Sequence, residues 1–320
     1  MSATQTRKDH LAKGIMYMVL ATMSFSMADA TGKFLTGKYP FMQIVWLRSV
    51  IGMAMIGLVI VATGKFYLFK TERTGWHLSR TLVGIMLITG IFTGLKYIPL
   101  AEVTSIVFAN PFIVAILTPL LLKEKVSRHT CFAIIIGFIG ILLVARPTPD
   151  HFHFAHLFML GFAAATAYLI VTARKLADTE SVLTLNFYLY PGIILFSSYW
   201  AMQQWQWPDL LTWLLFIALA FFATLALFFV TQAMHNARPS VVAPIDYCRI
   251  IWTASIGYIF WDEFPDPITW AGIIIIIISG IYVVSHGRSV PGAGSEQLPA
   301  EEGYSEEKNS EKYKVESVKR

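Results

Sequence analysis

Two stretches decide the fold: "AEVTSIVFANPFIVAILTPLLLKEKVS", residues 101–127, and "SVVAPIDYCRIIWTASIGYIFWDEFPD", residues 240–266. Laid one over the other, Glu124 falls on Glu263 and Val103 on Val242. Each line runs on into an apolar helix with a late glycine, Gly140 and Gly280. The starts of the two units also match, "TGKFL" (31–35) against "TARKL" (172–176), so the offset stays between 139 and 141 residues. Few identities support the match. Their order and spacing do, and they predict an internal repeat.

The surroundings of both stretches are apolar. Of 320 residues 56% are hydrophobic and 14% charged, against about 25% charged in soluble domains. Mean hydropathy is +0.59. That composition excludes a water-soluble globule and predicts a membrane protein. The net charge of +5 then bears on loops and orientation, with no nucleic-acid partner expected. Cys131 and Cys248 both lie in apolar segments, so no disulfide framework is expected.

Apolar runs of about 17–25 residues are long enough to span a bilayer. Ten occur, over 14–36, 40–63, 80–97, 100–122, 129–145, 156–177, 181–203, 209–235, 239–261 and 268–285. The first carries Ser24, Ser26 and Asp29 and no small-residue cleavage site follows it, so it reads as a retained helix and not a signal peptide. Connections are short and rich in turn formers, as in "TGKYP" and "DEFPDP". Residues 287–320 are polar and read as a disordered tail.

With the N-terminus inside, internal segments hold fourteen basic residues, among them Lys65, Lys70, Arg73, Arg80, Arg174 and Arg238. External segments hold four: Lys33, Lys38, Lys96 and Arg146. The bias predicts cytoplasmic termini in an inner (plasma) membrane. Five helices per unit is an odd number, so the second unit enters from the opposite side. The expected fold is an all-α polytopic membrane protein of ten transmembrane helices in two inverted five-helix repeats. Expected boundaries are 1–13 (cytoplasmic N-terminus), 14–147, 148–286 and 287–320. Inverted repeats are an architecture of secondary transporters, with the site near the midplane between repeats.

"YIPLAEVTSIVFANPFIVAILTPLLLKEKVSRHTCFAIIIGFIGILLVARP" (97–147) resembles the EamA domain of the drug/metabolite transporter superfamily. The pattern is a small-residue-rich helix, an apolar run ending L-x-x-E-x-[VL], then a helix with G-x-x-G-[IV]. Residues 240–287 resemble a second copy. The resemblance implies a central cavity lined by the first four helices of each repeat, with the fifth packed outside. "FSMADATGKFL", "WLRS" and "APIDYCRIIW" are similar to segments of S-adenosylmethionine uptake carriers and riboflavin importers. Amino-acid and drug exporters of the superfamily usually lack the Asp-plus-Arg pattern of the ninth helix.

Ionisable groups inside a bilayer are costly and face a cavity or a partner. The candidate substrate-binding residues are Asp29, Arg48, Asn110, Tyr190, Asp246, Arg249 and Trp252. Asp29 shares a helix face with Ser26, Thr22 and Lys33. Asn110 aligns with Arg249 under the offset of 139. Glu102, Ser105 and Ala109 extend the face of the fourth helix. Asp246 and Arg249 stand one turn apart, close enough to pair, and Pro244 can bend the helix before them. Two readings stay open for them: a neutralised pair that locks helices together, or a centre that binds a charged or zwitterionic ligand. Trp46, Tyr168, Tyr188, Tyr190, Tyr247 and Trp252 lie within helices, where a flat ring or a sulfonium can stack, though packing serves most buried aromatics equally well. Trp205, Trp207, Trp213, Trp261 and Trp270 read as an interfacial belt.

"HFHFAH" (151–156) holds His151, His153 and His156, but no Cys or acidic cluster completes a metal site. No phosphate-binding loop and no catalytic cluster appears, so neither cofactor nor metal is expected. A membrane enzyme would gather acids or histidines at one interface, and a channel would show a filter. The reading is a carrier, a monomer or weak homodimer in the lipid bilayer. It moves a small organic metabolite by alternating access, with S-adenosylmethionine expected ahead of riboflavin and an amino-acid or drug exporter as the alternative.

Overall fold

The computed structural model describes residues 3–97, 106–108, 110–124, 126–145, 153–261 and 266–286. Glu102, Ser105, Ala109, His151, Glu263 and the polar tail lie outside the described residues. All regular structure among them is helical: α1 (Ala3–Thr36), α2 (Phe41–Ala62), α3 (Thr74–Tyr97), α4 (Asn110–Leu122), α5 (Arg128–Ala145), α6 (Ala155–Lys175), α7 (Val182–Phe187), α8 (Tyr190–Gln203), α9 (Leu210–Asn236), α10 (Pro239–Val242), α11 (Arg249–Trp261) and α12 (Pro267–His286). Short 3₁₀ turns cover Phe66–Phe69 and Ala243–Cys248. In lipid every backbone amide must find its partner within the chain, and a helix does this locally.

Five helical segments are long and apolar enough to cross a membrane: His10–Thr36, Phe41–Ala62, Ala155–Lys175, Val182–Gln203 and Leu210–Asn236. Shorter apolar helices cover Asn110–Leu122, Arg128–Leu143 and Trp270–Ser279. Helix ends are capped where the sequence supplies an oxygen. Asp209 Oδ1 accepts from the Thr212 N–H at 2.8 Å, and Ser181 Oγ accepts from the Thr184 N–H at 3.0 Å. The bonds from Thr212 hold the exposed Asp209 carboxyl below the usual carboxylate range.

Two expected spans are broken. The chain over 239–261 is α10, a 3₁₀ turn and α11, because Pro239 and Pro244 remove donors and fix φ. The chain over 181–203 steps at Tyr188–Leu189, just before Pro191. A 3₁₀ stretch within a helix marks a place where the backbone can hinge.

The largest helix pairings are α1 with α9, α5 with α12, α3 with α6, α2 with α8, α4 with α6, α2 with α9, α1 with α11 and α3 with α8. Small residues permit the close ones. A Cβ at Gly90 would stand 2.6 Å from the Phe158 carbonyl oxygen, and one at Gly140 2.9 Å from that of Gly272. One apolar cluster knits α1, α4, α6, α9 and α10 through Met18, Val114, Val171, Met234 and Val242. Beside it, Glu124 reaches Arg174 Nε and Arg238 Nε, each at 3.9 Å.

Candidate substrate-binding site

α11 begins at Arg249, where the 3₁₀ turn ends. Its guanidinium does not pair with Asp246. Arg249 donates from Nε to Asp29 Oδ2 at 3.1 Å and from Nη2 to the same oxygen. α1 crosses α11 here, and it offers Asp29 with 51% of its side chain exposed. A carboxylate that stays partly solvated loses less on pairing than a buried one would. The Phe25 ring lies under the guanidinium, 4.9 Å from its centroid. Asp246 takes no hydrogen bond or ion pair from the described residues, yet it stands close enough to both Arg249 and Asp29 to interact with each electrostatically. The Asp29–Arg249 pair therefore stands where the helix changes winding, with Asp246 three residues earlier in the 3₁₀ turn.

The neighbouring polar groups fasten α1 to α11. Ser26 Oγ lies 3.3 Å from the Arg249 carbonyl oxygen and 3.3 Å from Thr253 Oγ1. Trp252 donates from Nε1 to Thr22 Oγ1 at 3.1 Å, which fixes its indole beside the same stretch of α1. Thr22 is fully buried, and its hydroxyl donates to the Val19 carbonyl at 2.7 Å.

Arg48 and Tyr190 form a second group. Tyr190 is 2% exposed and its Oη lies 2.9 Å from Thr224 Oγ1. Arg48 acts on Tyr190 electrostatically. Its Nε is buried with no hydrogen-bond partner among the described residues, so this cation is held without a counter-ion there. Gly52 lies one turn beyond Arg48; a Cβ on it would meet Thr224 Oγ1 at 2.6 Å and Tyr190 Oη at 2.8 Å. Asn110 makes no hydrogen bond to either group among the described residues. It is 3% exposed, it opens α4, and its Oδ1 has no partner among the described residues.

The sequence did not single out a third polar cluster. Arg80, read from sequence as a loop cation, is 3% exposed and donates from Nη1 to the Leu169 carbonyl and to Thr172 Oγ1, both at 2.7 Å. His77 Nε2 lies 3.6 Å from Glu180 Oε2, and Glu180 Oε1 accepts from Thr71 Oγ1 at 2.5 Å. Lys175 stands over the Trp76 ring at 4.7 Å. The signal was an acidic residue, Glu180, five residues past the basic helix end Arg174–Lys175 in a chain poor in acids. These groups tie α3 to the end of α6. Among the described residues no group of His, Cys, Asp and Glu is arranged to hold a metal.

Residues 12–146 and 153–285 each match the EamA-like transporter family. The riboflavin transporter of Vibrio cholerae is 26% identical over 280 residues, 86% of this chain and 94% of that one. The S-adenosylmethionine uptake transporter of Rickettsia prowazekii is 27% identical over 271 residues, 85% of this chain and 92% of that one. The pseudopaline exporter of Pseudomonas aeruginosa is 26% identical over 276 residues, 85% and 96%. A protein of known crystal structure superposes with a TM-score of 0.72 at 18% identity, covering 89% of this chain and all of that one; the likeness extends to the fold alone. Two matched units, all-helical apolar architecture and transporter relatives along most of its length agree: the chain is a multi-pass membrane transporter, not an enzyme, and belongs to the EamA-like transporter family within the drug/metabolite transporter superfamily.

Proposed function

We propose that this transporter carries a small cationic or zwitterionic metabolite with a flat ring, S-adenosylmethionine ahead of riboflavin, by alternating access between two inverted five-helix repeats. The observation that carries the substrate reading is the meeting of Asp29, Asp246 and Arg249 beside Trp252 and Phe25. With all three ionised the centre has an excess of one negative charge. S-adenosylmethionine brings a sulfonium, an ammonium and a carboxylate. Its carboxylate can displace Asp29 from Arg249, its cationic groups can take Asp246 and the freed Asp29, and its ring and sulfonium can stack on the aromatics. Riboflavin carries no ionised group to match. The names of the relatives cover three cargos, and both uptake and export, at nearly equal identity, so the support for this cargo comes from the charges of the site.

Two features support the inverted repeat. α4 and α11 carry Asn110 and Arg249 near the start of their described helices, the positions that the sequence offset of 139 equates. The helix pairings also exchange with one another when the units are swapped. α1 with α9 becomes α6 with α3, α4 with α6 becomes α11 with α1, α2 with α9 becomes α8 with α3, and α5 with α12 and α2 with α8 map onto themselves. In this reading the ten spans cross an inner membrane with both termini cytoplasmic. The apolar cluster around Met18 and Val114, with the Glu124–Arg174 and Glu124–Arg238 pairs, closes the cytoplasmic side, while the half-exposed Asp29 stays reachable from outside.

Ligand-induced stabilisation tests the substrate reading. A ligand at a hundredfold excess over its Kd adds about 2.7 kcal/mol to the folded state. S-adenosylmethionine should raise the Tm of the purified protein and riboflavin should not. A shift with riboflavin alone, or with branched amino acids or cationic drugs alone, would replace this reading with one of its alternatives.

A further inference from the structure

We propose that His77 and Glu180 form an acid-released latch, which holds the α2–α3 connection and the start of α3 against the α6–α7 turn while the imidazole is neutral. His77 is 3% exposed and Glu180 8%. His77 Nε2 lies 3.6 Å from Glu180 Oε2, beyond hydrogen-bond reach, and neither ring nitrogen has a hydrogen-bond partner among the described residues. The ring lies instead against Tyr188, with centroids 4.6 Å apart. Glu180 is held from its other side: Oε1 accepts from Thr71 Oγ1 at 2.5 Å, and that hydroxyl oxygen accepts from the Arg73 N–H at 2.9 Å. The rest of the connection is fastened beside it. Thr184 Oγ1 donates to the Leu68 carbonyl at 3.0 Å and Tyr188 Oη to the Phe69 carbonyl at 2.7 Å. These contacts join residues 68–77 of the first matched unit to 180–188 of the second. Histidine is the side chain that ordinarily changes charge between pH 5 and 8, and His77 stands at this joint.

The surroundings fix the direction of the switch. A protonated ring carries two N–H donors. Here Nδ1 would meet no acceptor among the described residues, and Nε2 would have Glu180, whose other oxygen is already taken by Thr71. Arg80, three residues on along α3, is bound to Leu169 and Thr172 of α6 and repels a charge on the ring. The other ionisable groups at the joint are Lys175 of α6 over the Trp76 ring, Tyr168 of α6 at 2.9 Å from Ser79 Oγ, Tyr188, and Arg73. Glu180 is the anion that faces the ring. Burial, helped by Arg80 and partly offset by Glu180, holds the imidazole below its ordinary value. A base that binds its proton less well in the closed joint than in water stabilises the joint above about pH 6.5 and loses that contribution as pH falls below it. Acid therefore favours the arrangement in which the ring meets water and the joint is open. His77 lies ahead of the expected span 80–97, so water is within reach. Under the orientation proposed above, this end faces the cytoplasm and acid there shifts the carrier toward its inward-open state. That consequence rests on the proposed topology; the latch does not.

Hydrogen–deuterium exchange of the purified, substrate-free protein tests the latch whatever the cargo and the topology. Amides of 66–79 and 180–189 are followed by mass spectrometry from pH 7.5 to pH 5.5, with rates corrected for their intrinsic pH dependence. One unit below the ordinary histidine value, the open population and with it the corrected rate should rise by up to about tenfold. The loop 203–209 is tied to Gln43 by bonds of 2.6 and 3.0 Å and holds no histidine; its rates should not change. His77→Phe keeps a ring against Tyr188 and removes the titration, so its corrected rates should stay flat, and those of His77→Gln likewise. His235→Asn, which alters the imidazole at the end of α9, should keep the wild-type step. Flat corrected rates in the wild type would overturn the latch. So would a fall on acidification, which is capture of the imidazolium by Glu180, or a step that survives in either His77 variant. A rise shared equally by the loop 203–209 would mean general acid unfolding and would overturn it as well.

Discussion

Arg249 and Asp29 stand 220 residues apart in the chain and share two hydrogen bonds. The pair ties the first helix to the helix that follows the 3₁₀ turn. Removing one partner leaves an uncompensated charge, a loss of about 3–5 kcal/mol where the pair is fully buried and less here, with Asp29 half exposed. Asp29→Asn and Arg249→Gln should each lower Tm. The double mutant should regain most of the stability and yet fail to transport, because the ligand-recognising groups are gone. Uptake normalised to folded protein, measured alongside Tm, checks this. Normal uptake by the double mutant would make the pair a purely structural tie.

Trp252 separates the ring from its hydrogen bond. Trp252→Phe keeps an aromatic face and loses the bond to Thr22 Oγ1, a cost of about 0.5–1.5 kcal/mol in stability. Substrate affinity should fall little. Trp252→Ala should weaken binding by about 1–2 kcal/mol, the range of a desolvated cation–π contact. Equilibrium binding to the two variants distinguishes the roles.

Much of this was legible in the sequence, and the reason is the solvent. Lipid forces the backbone into helices, so apolar run length foretold an all-helical chain, with five helices long and apolar enough to cross a membrane among the described residues. The sequence put Asn110 and Arg249 within helices of matching depth; Arg249 instead stands where a 3₁₀ turn gives way to α11. The choice of partner by Arg249 was not legible. Asp246 is the near neighbour in sequence, and only the crossing of α1 and α11 makes Asp29 the nearer oxygen in space. Arg80 and Glu180 were missed for the same reason: their burial depends on how α3 meets the end of α6, and periodicity does not encode that. The bond of Tyr190 to Thr224 likewise follows from how α8 meets α9.

Gly52 and Gly57 lie on the same helix and should behave differently. A Cβ at Gly52 would push against the Tyr190–Thr224 hydrogen bond, and overpacking of this kind costs about 1–3 kcal/mol. A Cβ at Gly57 would make an ordinary contact with Phe187 at 3.8 Å. Thermal unfolding should find Gly52→Ala destabilised and Gly57→Ala close to wild type or slightly stabilised by its better helix propensity.

An inverted repeat would put Ser127 and Asp266, equivalent under the offset of 139, on opposite faces of the membrane. Cysteines introduced there, in a background with Cys131 and Cys248 replaced, should react with a membrane-impermeant maleimide from opposite sides: Asp266→Cys in intact cells, Ser127→Cys only after permeabilisation. Labelling of both from outside would exclude five spans per unit.

Uptake of labelled S-adenosylmethionine into proteoliposomes asks whether the centre of Asp29, Asp246 and Arg249 selects a cationic, ring-bearing cargo. Saturable uptake is expected, inhibited by unlabelled S-adenosylmethionine and not by riboflavin. Asp246→Asn should abolish it while leaving the ligand-free Tm within a few degrees of wild type, since Asp246 makes no hydrogen bond or ion pair with the described residues. Uptake of riboflavin in place of S-adenosylmethionine, or undiminished uptake by Asp246→Asn, would contradict it.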